Sequence, residues 1–187
     1  MPDYATLVLA EAVLARAIDR YRERNKSELF ETASRLFGRL TCGRFTGLEI
    51  ERDENDDQFL VGVRPDGVTP ERVTITGMSD GTRDQLYLAL RLAHLEKHVT
   101  DHGPFPIIID DLLLAFDDAR ARAALECLTD LSCRTQVVFF THHRHLRDMA
   151  SESVFQGQIG ILELLSLGKS VAHVSLTQEN AQANRDA

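Results

Sequence analysis

Along the first 40 residues the apolar positions fall on a helical period. Leu7, Ala10, Leu14, Ile18 and Tyr21 return at intervals of three, four or seven and share one face. Leu7, Leu14 and Tyr21 also keep a strict seven-residue spacing, which suits a short coiled-coil stub. A second amphipathic stretch, from about Glu28 to Leu40, carries Leu29, Phe30, Ala33, Leu36, Phe37 and Leu40. After T-C-G-R the period changes to two. R-F-T-G-L-E-I-E-R and Q-F-L-V-G-V-R-P flank the acidic run D-E-N-D-D and predict a hairpin with a solvated tip. P-E-R-V-T-I-T predicts another short strand.

From Thr82 to about Val99, Leu86, Leu88, Leu90, Leu92, Ala93 and Leu95 make a helix apolar around most of its circumference, hence largely buried. G-P-F-P-I-I-I-D-D then reads as a central strand, with Pro104 and Pro106 at its start because proline cannot donate within a ladder. D-A-R-A-R-A-A-L-E-C-L-T-D-L is a helix and T-Q-V-V-F-F-T a second buried strand. Strand, helix, strand predicts a βαβ unit with parallel strands. I-G-I-L-E-L-L-S and S-V-A-H-V-S-L-T predict a terminal hairpin around Gly168 and Lys169, followed by a polar tail.

Composition narrows the class. The chain has 187 residues, 43% hydrophobic and 27% charged, as an ordinary globular domain does. Nothing in it approaches a transmembrane run. The first 15 residues hold Asp3 and Glu11 and no Lys or Arg and so are expected to be no secretory signal, while the cysteine usage leads to the expectation of a cytoplasmic address. Three cysteines, Cys42, Cys127 and Cys133, form no C-x-x-C and are expected as reduced, mostly buried thiols. A formal net charge of −8, with no basic stripe, gives no support for direct DNA binding by this chain alone.

Candidate chemistry collects at strand ends, where open parallel sheets place it. One end gives Ser79-Asp80-Gly81, a second gives Asp110-Asp111 with Asp117-Asp118 behind, and a third gives Thr141-His142-His143. Gly77, Ser79 and Gly81 spell the G-x-S-x-G of a serine nucleophile elbow. No oxyanion loop accompanies it, and the half of the chain before it reads as a helical stem and a hairpin. A serine or metal hydrolase using Ser79, Asp110, Asp111, His142 and His143 is the weaker alternative. His94 and His98 share a helix face without the H-E-x-x-H spacing and read as surface residues.

A nucleotide reading uses all three ends. A carboxylate at a strand tip, Asp110, can hold Mg²⁺ directly or through water. Asp111 beside it is a general-base candidate for an attacking water, and His142 on the adjacent strand can donate to a γ-phosphate. A Ser-x-Gly turn at a helix start offers N–H groups to an anion.

M-S-D-G-T-R-D-Q-L-Y-L-A-L-R-L-A, I-I-I-D-D-L-L-L-A-F-D-D-A-R and V-V-F-F-T-H-H resemble, in order, the signature motif, the Walker B with D-loop and the H-loop of SMC-like ABC ATPases, most of all the SbcC/YhaN-type branch. The resemblance implies an α/β fold: the C-terminal half of a P-loop NTPase head of the ABC/SMC type, with parallel core strands, flanking helices, an N-terminal stem and edge hairpins. It implies a stem over residues 1–42, an ATPase C-terminal lobe over 43–177 and a tail over 178–187. It also implies Ser79, Asp80, Gly81, Thr82 and Arg83 at the signature, Asp110 serving Mg²⁺ and Asp111 at the base position. Asp117 would close the D-loop, and His142 would be the switch histidine.

Two positions depart from the family. Asp80 stands where a first glycine is usual, and a carboxylate there should repel phosphate. Asp111 replaces the more usual glutamate and is one methylene shorter. No G-x-x-x-x-G-K-[ST] occurs in the sequence. The implied partners are a P-loop-bearing N-terminal lobe and a second head, with ATP and Mg²⁺ bound only once that lobe is supplied. A nuclease subunit and DNA would follow through the whole protein, in DNA repair or chromosome maintenance. A degenerate head acting only as a dimerisation module is the non-enzymatic alternative.

Overall fold

The computed structural model describes residue 16, residues 28–67, 69–113, 116–152, 155 and 157–164. The stem expected before residue 28, Arg16 apart, lies outside the described residues, as do the second half of the terminal hairpin and the tail. Two compact units are present, Met1–His143 and Arg144–Ala187.

In the first unit, helix α1 covers residues 28–40 and buries the face carrying Ala33, Leu36, Phe37 and Leu40. The turn T-C-G-R stops it. Cys42 and Gly43 take left-handed φ values of 53° and 77°, and Gly43 N–H donates to the Gly38 carbonyl at 2.9 Å, a helix-ending geometry that glycine favours. Strands β1 (Gly47–Arg52) and β2 (Gln58–Arg64) form the expected antiparallel hairpin, in register from Gly47 opposite Val63 to Arg52 opposite Gln58. At its acidic tip Asp53 Oδ1 accepts from the N–H groups of Asn55 and Asp57, both at 2.9 Å. Strand β3 (Glu71–Thr74) adds to β2, again antiparallel, and a short 3₁₀ turn (Ile75–Gly77) leads to Ser79 and the next helix.

Helix α2 (Asp80–His102) buries Leu86, Leu88, Ala89, Leu92, Ala93 and Val99, but Asp84, Tyr87, Arg91, His94 and His98 form an exposed stripe and Leu90 and Leu95 are only half-buried, so the helix is less fully enclosed than its sequence predicts. Gln85 is buried too, and its amide donates to the Leu40 carbonyl, satisfying the end of α1. Arg35–Glu96 at 3.0 Å ties α1 to α2.

Strands β4 (Ile107–Asp110) and β5 (Val137–Phe140), joined by α3 (Asp118–Ser132), pair in parallel with Asp110 opposite Phe140. The βαβ unit is therefore present as expected. Among the described residues this parallel sheet has two strands and is separate from the three-stranded antiparallel sheet. Ser79 thus follows an antiparallel strand, so only two of the three expected parallel strand ends exist as such.

The second unit contains helix α4 (Arg144–Ala150), with Leu146 and Met149 buried, and an Arg147–Glu163 ion pair at 2.6 Å. Its seven residues bury too few apolar positions to show a period. Residues 159–164, expected as a strand, are irregular and leave Ile161, Leu162 and Leu164 exposed. Among the described residues this run pairs with no strand, and apolar alternation cannot build a strand without a partner edge. The cysteines also differ from expectation. Only Cys127 is buried, and burial, the largest effect, pushes its thiol up to about 11; Cys42 and Cys133 are exposed.

Candidate functional site

The end of the parallel sheet brings Asp111 to His142. Asp111 N–H donates to the Phe140 carbonyl at 3.0 Å, extending the ladder one residue past β4. Its φ of 44° then turns the chain, a conformation that aspartate tolerates better than most residues. Asp111 Oδ2 and His142 Nδ1 stand 2.7 Å apart, across 31 residues of sequence. His142 is 69% exposed and Asp111 30%. Desolvation at the strand end raises the Asp111 pKa. The hydrogen bond and charge of His142, with a hydrogen bond from Thr141, outweigh it and hold the carboxyl below its ordinary value. Asp111 Oδ1 is buried and has no hydrogen-bond partner. His143 lies alongside, its ring centroid 4.0 Å from that of His142.

Asp110, the last residue of β4, is exposed on the same face as Ile108. A free carboxylate at a strand tip is the hard oxygen donor that Mg²⁺ takes, so Asp110 fits the metal role.

Ser79 caps α2. Its side chain accepts from Thr82 N–H at 3.4 Å and lies 2.9 Å from the Thr82 hydroxyl. It shares no hydrogen bond with His142 among the described contacts, so the structure gives a serine hydrolase no assembled triad. Asp80 is exposed and ion-paired with Arg83 one turn along. The guanidinium offsets the repulsion that an aspartate at this place would otherwise present to phosphate. Asp117 caps α3, accepting from Arg120 N–H at 2.9 Å and pairing with the Arg120 side chain at 3.2 Å. A Cβ on Gly81 would come 3.1 Å from Arg120 Nη1, so Arg120 stands between the turn at Ser79–Gly81 and Asp117.

Two arginines escape a reading of the sequence. Arg120 follows Asp117 at helical i,i+3 spacing, a signal that the sequence does carry. Arg44 lines a shallow hollow with Ser79 and Thr82, and among the described residues it pairs with no carboxylate. Its position depends on the folding of T-C-G-R beneath the signature turn, and no local pattern announces that.

A parallel pair ending in Asp110-Asp111 and His142, beside a separate antiparallel sheet and a long helix capped by Ser79, is the fold of an SMC-type ATPase head. A solved structure from work on ATP-driven dimerisation and DNA-stimulated activation of SMC ATPases matches it with a TM-score of 0.56 at 18% identity, over 83% of this chain and 89% of that one. In sequence the chain is 32% identical over 148 residues to YhaN of Bacillus subtilis (strain 168), an uncharacterised protein, covering 78% of this chain. It is 27% identical over 130 residues to the DNA double-strand break repair Rad50 ATPase of Pyrococcus abyssi (strain GE5 / Orsay), covering 69%. The chain is an SMC-like ATPase head segment related to YhaN and Rad50 and corresponding to the C-terminal lobe. It spans 14% of the length of each of these two relatives. No protein-family model matches it.

Proposed function

We propose that this chain supplies one half of an ATP-hydrolysing site, which a P-loop-bearing lobe and a second head complete. The observation that carries the proposal is the Asp111–His142 pair, formed between the ends of two adjacent parallel strands. Asp111 orients the attacking water through Oδ1, the buried acceptor left without a partner. Its lowered pKa suits accepting a hydrogen bond from water better than carrying a proton away. His142, largely exposed, donates to the γ-phosphate side. Asp110 holds Mg²⁺, which supplies charge neutralisation for phosphoryl transfer.

Ser79, Gly81 and Thr82 at the head of α2, with Arg44 beside them, face nucleotide bound by the opposite head. Asp80 and Arg83 act there as a neutralised pair, and Asp117 with Arg120 fixes the D-loop against the signature turn. Residues 1–42 form the returning stem, 43–177 the lobe and 178–187 the tail. The working state is an ATP-dependent dimer of heads in the cytoplasm. Through the whole protein it serves DNA repair or chromosome maintenance, with a nuclease partner. The relatives support nucleotide as the ligand. Among the described residues no helix is long and apolar enough to cross a membrane.

The parallel sheet supports the need for a second lobe. Parallel sheets are ordinarily covered on both faces, yet Ile108 is 70% exposed and Phe140 44% exposed on one face of this two-stranded pair. A non-hydrolysing dimerisation module is the second reading, favoured by Asp80 in the signature and by the short Asp111.

Steady-state turnover of the chain co-expressed with a P-loop lobe separates the two. Turnover that falls by about 10²- to 10⁴-fold in His142→Ala and in Asp111→Asn is expected for the enzyme. ATP-dependent association without turnover in the unmodified head would leave the module.

A further inference from the structure

Asp111, His142 and His143 each offer one ligand atom, and the three atoms lie within 4.8 Å of one another. Two imidazoles and one carboxylate are a different donor set from the all-oxygen environment that Mg²⁺ prefers. They select borderline ions such as Zn²⁺, Co²⁺ and Ni²⁺. Ligand atoms about 2.1 Å from a tetrahedral ion stand about 3.4 Å apart, so no pair of the three has to close by more than about 1.4 Å. Surroundings that permit this are present. His142 is 69% exposed and can rotate, and Asp111 Oδ1 is a buried acceptor lacking a partner.

We propose that Asp111, His142 and His143 form a transition-metal site distinct from the Mg²⁺ position at Asp110. It provides three protein ligands and leaves the fourth position open to solvent. If the proposed ATPase site is right, the ion competes with hydrolysis. It takes the carboxylate that would orient water and the imidazole that would reach phosphate. Zn²⁺ therefore latches the head in a state that does not turn over.

His98 and His102, stacked at 4.4 Å on α2, are the other close imidazole pair among the described residues and serve as the control. The test uses the 187-residue chain with Zn²⁺ alone by calorimetry and with Co²⁺ alone by its d–d absorption. One ion per chain is expected, with a tetrahedral or five-coordinate Co²⁺ spectrum. His143→Ala and Asp111→Asn should each weaken binding at least about 10- to 100-fold, the range caused by losing mere second-shell partners. His98→Ala should bind as the unmodified chain does. Circular dichroism checks that each variant folds, and His143→Gln replaces any that does not. Binding that survives His143→Ala or His143→Gln, binding lost in His98→Ala, or an octahedral Co²⁺ spectrum no different from aqueous ion would overturn the site.

The latch has its own readout. If the chain binds Zn²⁺ with the expected variant pattern but assembled heads turn over ATP equally with and without it, the competition is wrong and the site stands. If assembled heads show no turnover at all, the ATPase reading has failed, and the metal titration still decides the site.

Discussion

Asp111 makes the last ladder bond, one residue past β4, turns with a positive φ, and meets a histidine 31 residues away. Its carboxyl is ionised more readily than usual because His142 and Thr141 favour the charged form by more than burial disfavours it. Such a group contributes stability above its ordinary pKa and loses it as pH falls through the lowered one. Removing His142 leaves burial as the largest remaining influence, so in His142→Ala the Asp111 pKa should rise, which carboxyl ¹³C NMR titration reads directly. An unchanged titration would mean that the pair does not form in solution. The sequence made both residues candidates, since tandem aspartates after a strand and histidines after its parallel neighbour are visible. It could not show which aspartate turns toward the histidine, because that depends on a φ angle at the strand end.

At the scale of elements, the turn that carries Ser79 is held by packing from below. Met78, immediately before Ser79, is buried against β2. A Cβ on Gly62 would come 2.7 Å from Met78 Cε and 2.9 Å from Phe45 Cδ1. Gly62→Ala should therefore destabilise the chain by about 1–3 kcal/mol through overpacking. It should also displace the Ser79 cap, measurable by urea denaturation and by the amide shift of Thr82. A loss below about 0.5 kcal/mol would show that the two side chains yield freely. Elements with strong patterns were legible: the hairpin with its acidic tip, α2 and the parallel βαβ pair. Helix α4 was not, since Leu146 and Met149 alone give no period, and the run from Ile159 to Leu164 misled because its alternation finds no partner among the described strands.

For the molecule as a whole, the exposed face of β4 and β5 carries the main consequence. Ile108 and Phe140 lie open on a sheet type that normally has cover on both sides, and the sequence holds no P-loop to cradle phosphates. The missing motif was plain in the sequence. The open face was not, because I-I-I-D and V-V-F-F look the same whether both faces are covered or one. Both fit the proposal that the site is completed by a second lobe. Calorimetric titration of Mg²⁺–ATP into the chain, alone and then mixed with a P-loop lobe, tests this most directly. Binding by the chain alone should be weaker than about 1 mM and should tighten to micromolar once the P-loop lobe is present. Micromolar affinity in the isolated chain would contradict the account.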